Sequence, residues 1–285
     1  MRIGWFNDNR LGLVKDEKVY DVSAVLARIP TPKYPFPELG DPLIARIDEL
    51  RSEIERAAAG AASIPVTEAR FRSPVSNPTK IIGTPTNYRD HQAEMQADRS
   101  IPKLGTSGKS IEEQGLFLKA NSCLVGPTEG VTLRFRDQRN DHEMELGVII
   151  GRKASAIPVE KAMDVVAGYA IALDMVVRGS QDRSFRKSID TYGVLGPWLV
   201  TADEVGDPMN LDFSLAVNGE MRQKSNTNLM VMNIAKQISW ASEYYTLYPG
   251  DIVMTGTCKG VSKVSPGDVM QCEIQTIGSM DVRVS

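Results

Sequence analysis

The sequence predicts a mainly β fold with a minority of helix, an α+β architecture. Three observations carry this. Short runs rich in Val, Ile and Leu recur along the chain, bounded by Gly, Pro, Asn or Asp. Helical apolar spacing stands out in only two long stretches, 43–62 and 228–245. Asn218-Gly219 lies between apolar runs and signals a two-residue hairpin turn. Many strands with few helices suit a β-rich roll or sandwich.

Taken in order, Arg2-Ile3-Gly4-Trp5 and Arg10-Leu11-Gly12-Leu13-Val14 read as a small hairpin, with Val19–Val22 as a further strand. Residues 28–41 are Pro-rich and read as loop. Ile44, Ile47, Leu50 and Ile54 form one helical stripe. Pro65 and Pro74 bracket a linker-like stretch, which places a boundary near residue 76. Residues 1–76 are then a small N-terminal accessory domain, without a cluster of catalytic groups, and 77–285 the catalytic domain. Further strands are expected at 80–83, 115–119, 145–150, 166–173, 199–201, 211–217, 252–255 and 268–275. Residues 97–114 read as one long loop, a length at which loops often serve as lids.

The chain has 285 residues, 42% hydrophobic and 24% charged, which is ordinary globular composition with ample material for a core. A net charge of −3 with no Lys/Arg block argues against a general nucleic-acid binder. No apolar stretch reaches the about 20 residues of a membrane span, and the N-terminus lacks a signal-peptide core. Cys123, Cys258 and Cys272 are odd in number and lack metal-ligand spacing, so they read as packing residues in a reduced cytoplasm.

The run Asp141-His142-Glu143-Met144-Glu145-Leu146-Gly147-Val148-Ile149-Ile150 passes from charged to apolar. Strand alternation puts Glu143 and Glu145 on one face and Met144, Leu146 and Val148 on the other. Asp174 closes a second apolar run, Val165–Leu173. Neighbouring carboxylates on an apolar strand repel and resist burial, and a divalent cation removes both problems. An all-oxygen set suits Mg²⁺, Mn²⁺ or Ca²⁺. The same Glu spacing also occurs on solvated edge strands, and a lone buried Asp can be structural.

His91 and Glu94, if helical, share a face at i, i+3, and a carboxylate beside an imidazole makes a suitable general base. An incidental surface pair fits the same spacing. His142 should point away from Glu143 and reads as structural.

These pieces, in order, resemble the fumarylacetoacetate hydrolase superfamily, over Lys80 to about Gly278. The matching segments are Asn87-Tyr88-x-x-His91-x-x-Glu94, Phe117-Leu118-Lys119 and Asp141-His142-Glu143-x-Glu145. They continue through Asp174, Arg178, Gln181, Lys187 and Gly196-Pro197-Trp198 to Pro249-Gly250-Asp251 and Thr255-Gly256-Thr257. The resemblance implies a mixed β-sandwich roll, usually a homodimer. It implies Glu143, Glu145 and Asp174 as ligands of Mg²⁺ or Mn²⁺, and His91 with Glu94 as a water-activating pair. Lys187 would contact the keto-acid end of the substrate, with Arg178, Gln181 and Thr257 lining the same pocket. Departures such as Gly179, His142 and Cys258-Lys259 bear on substrate identity rather than on those groups.

The activity so implied is metal-dependent hydrolysis of a C–C bond in a 1,3-diketo acid. Acylpyruvates, fumarylpyruvate and sugar-derived diketo acids all fit. Oxaloacetate decarboxylation and keto-acid hydration or isomerisation are alternatives on the same site. A non-catalytic metal-binding protein is a third reading, disfavoured by the intact His91–Glu94 pair.

Overall fold

The expected β runs assemble into a sheet that crosses nearly the whole chain. In the computed structural model, which describes residues 1–35, 38–99 and 108–285, eleven strands form this mixed sheet. Its order is Ser63–Pro65, Lys18–Asp21, Arg10–Lys15, Arg2–Phe6, Gly193–Thr201, Val166–Asp174, Met144–Ile150, Ile252–Met254, Ile81–Gly83 and Phe117–Lys119. Leu124–Val125 adds a parallel pairing to the start of Gly193–Thr201. The N-terminal hairpin joins through Ile3 opposite Leu199, so residues 1–76 extend the same sheet as the rest. A second, four-stranded antiparallel sheet comprises Glu220–Asn226, Asp212–Val217, Val269–Ile274 and Gly278–Arg283.

Alternation sorts the central strands between two cores. Leu146, Val148 and Ile150, with Tyr169, Ile171 and Leu173, enter a large core that also takes Phe213, Leu215 and Cys272 of the smaller sheet. Ile149, Ala170 and Ala172 enter the other, with Leu11, Ile44, Leu50 and Ile54 of the N-terminal part. Strand Met144–Ile150 is buried at every position, which explains its apolar character outside Glu145.

Several boundaries differ from expectation, for local reasons. The first helix is Ile47–Ala58, entered through a 3-10 turn at Ile44–Arg46. The helix expected over 228–245 starts only at Ile234, because Asn233 caps it by accepting from the Lys236 N–H at 2.9 Å. The strand expected at 199–201 is the end of a nine-residue strand, Gly193–Thr201. Its glycines and proline look like breakers, yet a Cβ at Gly196 would lie 2.6 Å from Pro127 Cδ, so glycine answers a close approach. Gly278–Arg283 was not expected as a strand. The 218–219 turn forms as the sequence suggests, with φ of 52° at Asn218 and 82° at Gly219. Of the loop expected at 97–114, residues 100–107 lie outside the described residues, and Ile111–Gln114 is a helical turn with a Ser110/Glu113 capping box.

Candidate active site

Two strand ends create the acidic cluster. The antiparallel register sets Ala172 opposite Glu145, and the Asp174 N–H donates to the Glu143 carbonyl at 2.8 Å. Glu143, Glu145 and Asp174 therefore project from one face, with carboxylate oxygens within 4.8 Å of one another. All three are buried, at 5%, 2% and 1% exposure, so this is no solvated edge-strand pair.

Each acid has a different environment. Glu143 accepts from Lys187 Nζ at 2.6 Å and from Arg178 Nη2 at 2.9 Å. Burial alone would raise its carboxyl, but Lys187 and Arg178 outweigh that and hold it well below the usual range. Asp174 accepts from Lys119 Nζ at 2.6 Å and from Lys187 Nζ. Among the described residues Glu145 accepts only the Gly256 N–H, at 2.7 Å, and burial together with the charge of Asp174 drives its carboxyl well above the normal range. Gly256 reaches it because its φ is +96° and a Cβ there would meet Asn87 Cβ at 2.5 Å.

The donor set fits a hard divalent cation. It is all oxygen, and each carboxylate oxygen keeps a second lone pair beyond the hydrogen bond it accepts. A dication would also offset what holds Glu145 up, its burial first and then the repulsion from Asp174.

The cluster opens into a cavity of about 140 Å³. Across it lies helix Arg89–Ala97, which carries His91. His91 Nδ1 meets Glu94 Oε2 at 3.0 Å, and Glu94 is itself held by the Gly260 N–H at 2.8 Å. Burial raises the Glu94 carboxyl, but the His91 hydrogen bond and the Gly260 N–H outweigh it and leave it lowered. A carboxylate can only accept, so it fixes Nδ1–H and leaves the Nε2 lone pair as the basic one.

Lys187 lines the cavity, and its ammonium is held up by Asp174, Glu143 and Glu145 against the opposing effect of burial. Two of its three N–H donors meet Glu143 and Asp174, which leaves the third without a hydrogen-bond acceptor among the described residues. Arg178 also lines the cavity while bonding Asp141 at 2.8 Å and Glu143. Thr257 lines it with its hydroxyl donating to the Met144 carbonyl at 2.6 Å. Gln181 is exposed and is not brought to the cavity wall with the others.

His142 points away from the acids, as alternation requires, and is buried between Gln223 Oε1 and Ser262 Oγ, each at 3.0 Å. Asn87 is likewise engaged by backbone, donating to the Met232 and Thr255 carbonyls at 2.9 and 2.8 Å. Sequence reasoning gave no role to Lys119, Arg183 or Arg186, whose proximity depends on long-range topology. The signal available for the last two was the unusual density of Arg and Lys over 183–187.

Comparison with known proteins agrees with this geometry. The model of the family described as fumarylacetoacetate (FAA) hydrolase C-terminal matches residues 80–285. Maleylpyruvate hydrolase of Aquipseudomonas alcaligenes is 47% identical over 285 residues, covering 100% of this chain and 99% of that protein. The 2,4-didehydro-3-deoxy-L-rhamnonate hydrolase of Sphingomonas sp. (strain SKA58) is 40% identical, covering 84% and 86%. The crystal structure of maleylpyruvate hydrolase from Sphingobium sp. SYK-6, in complex with manganese(II) ion and pyruvate, superposes with a TM-score of 0.83 at 39% identity, covering 100% of this chain and 98% of that one. The chain belongs to the fumarylacetoacetate hydrolase family.

Proposed function

We propose that this chain is a divalent-metal-dependent hydrolase that cleaves a C–C bond in an acylpyruvate-type 1,3-diketo acid, releasing pyruvate or a related keto acid. Breakdown of aromatic compounds or sugar acids is the setting that such substrates suit. The observation that carries this reading is the pairing, across one cavity, of three buried carboxylates with a carboxylate-oriented histidine.

Glu143, Glu145 and Asp174 would hold Mg²⁺ or Mn²⁺, and Ca²⁺ suits the same oxygens. When bound, such an ion supplies Lewis-acid polarisation of the keto-acid oxygens. His91 Nε2 takes a proton from water as the oxygen adds to the carbonyl remote from the carboxylate. Glu94 keeps the imidazole in the productive tautomer. The C–C bond then breaks and its electron pair passes to the pyruvate fragment as an enolate, which is protonated to pyruvate. The free N–H of Lys187 offers positive charge where that negative charge develops. Arg178 orients Glu143 from behind, and Thr257 contributes to the wall. Gln181 would need to turn inward to join them.

The test is incubation of purified protein with maleylpyruvate and acetylpyruvate in Mg²⁺ or Mn²⁺, with an EDTA control, following diketone absorbance and pyruvate together. Metal-dependent pyruvate release is expected, and His91→Ala should lower kcat by about 10²–10⁴-fold. Absence of release, with oxaloacetate consumed in parallel, would replace hydrolysis by chemistry on oxaloacetate. A homodimer and a cytoplasmic location complete the proposal. Three buried, unpaired cysteines suit a reducing compartment, and light scattering on the eluted protein reads the subunit count.

A further inference from the structure

The cavity contains more positive charge than its acids neutralise. Arg178 and Lys187 are engaged by Asp141, Glu143 and Asp174. Arg183 and Arg186 line the same cavity, and among the described residues neither forms an ion pair. Both are nevertheless held in place. Arg183 Nη2 donates to Gln114 Oε1 at 2.8 Å, and its guanidinium carbon lies 5.4 Å from the centre of the Phe117 ring. Arg186 is 6% exposed, with Nε donating to the Gln181 carbonyl at 2.9 Å and Nη1 to the Val177 carbonyl at 3.3 Å.

All these partners are neutral. They fix the guanidiniums without neutralising them, and a desolvated cation without a counter-ion is costly. Burial lowers both arginines from their ordinary value, and for Arg186 the charges of Arg178 and Arg183 add to the effect. Local sequence explains how the pair arises. Asp182 caps a short helix, Arg183–Lys187, by accepting from the Ser184 N–H at 2.8 Å. Positions i, i+3 and i+4 then share a face, so Arg183, Arg186 and Lys187 all turn to the cavity. Lys187 faces the acids, while Arg183 reaches toward Gln114 and Phe117.

We propose that Arg183, supported by Arg186, binds a second carboxylate at the acyl end of the substrate, so that the site selects diketo diacids over acylpyruvates with an apolar acyl group. This rests on the hydrolase reading for the placement of the keto-acid end at Lys187 and the acids. The planar guanidinium fork matches a carboxylate, and among the described residues four of the five N–H donors of Arg183 remain for it.

The test compares kcat/KM for maleylpyruvate, which ends in a carboxylate, and acetylpyruvate, which ends in a methyl group. In Arg183→Gln the ratio of the two should fall by about 10–100-fold, the size of a lost charge-assisted hydrogen bond, mainly through KM. Arg183→Lys, which keeps the charge and loses the fork, should fall between. Equal proportional losses on both substrates, or no loss on either, overturn the assignment. A second readout needs no turnover: calorimetric titration with maleate should show at least about tenfold weaker binding in Arg183→Gln. Equal maleate affinity in the two proteins also overturns it. If wild type cleaves neither diketo acid while maleate binding still depends on Arg183, the hydrolase reading falls and the carboxylate subsite stands.

Discussion

Lys119 places its ammonium between Asp174 Oδ1 and two backbone carbonyls, those of Lys187 and Tyr192, with no side-chain exposure. It ties Asp174 to the backbone of the segment carrying Lys187, beside the contacts that Lys187 Nζ itself makes with Glu143 and Asp174. Lys119→Met keeps the length of the chain and removes the charge. It leaves Asp174 one cation short and two buried carbonyls without this donor. Breaking one side of a buried pair costs about 3–5 kcal/mol, so urea unfolding of the metal-free variant should show a loss of that size. A loss below about 1 kcal/mol, the range of exposed pairs, would mean that water replaces the ammonium. The residue also marks what a sequence can and cannot disclose. Glu143, Glu145 and Asp174 were legible because alternation along two strands is local and the strands pair in simple register. Lys119 was visible only as part of Phe117-Leu118-Lys119, since its meeting with Asp174 joins residues 55 apart in sequence.

At the scale of the element, helix Arg89–Ala97 acts as the carrier of His91, and Glu94 is the pin that fastens it to the Gly260 turn. The carboxyl of Glu94 is lowered in the folded chain from its ordinary 4.5. A depressed acid stabilises the fold fully above its unfolded value, and that contribution disappears as pH falls through the folded one. Glu94→Gln should therefore lower the free energy of unfolding near neutral pH, and the gap from wild type should close as pH drops below about 4.5. Denaturant titrations at several pH values measure this; a gap that stays constant down to acid pH would assign the effect to shape rather than charge. The contrast with helix Arg183–Lys187 explains the case of Gln181. Motif order grouped Gln181 with Lys187, but the Asp182 cap starts the helix after it, leaving Gln181 outside the face that turns inward. A one-residue difference in where a helix begins decides which side chains reach the cavity, and a cap of this kind is weak evidence before the surrounding fold is known.

For the whole molecule, the question is what residues 1–76 do for the remainder. The family match begins at residue 80, and the acids, His91 and Lys187 all lie beyond it. The packing crosses that line. Leu11, Leu13, Ile44, Leu50 and Ile54 share one core with Ile149, Leu195, Leu199, Ile252 and Met254. Glu145 and Asp174 stand on the faces of their strands that carry Gly147, Ile149, Ala170 and Ala172 into that core. We propose that residues 1–76 are accessory to the chemistry while being required for the fold that supports it. Removing them would expose at least five large apolar side chains from 77–285, at about 1.5–3 kcal/mol each. The sum is on the order of 10 kcal/mol, comparable to the entire stability of a typical domain at about 5–15 kcal/mol. Residues 77–285 expressed alone should therefore aggregate or bind hydrophobic dyes, and should lose the Mn²⁺-dependent rise in melting temperature expected of the intact chain. A monodisperse 77–285 fragment that melts cooperatively near the full chain's temperature would show instead that the catalytic part closes its own core, with the N-terminal strands merely added to its edge.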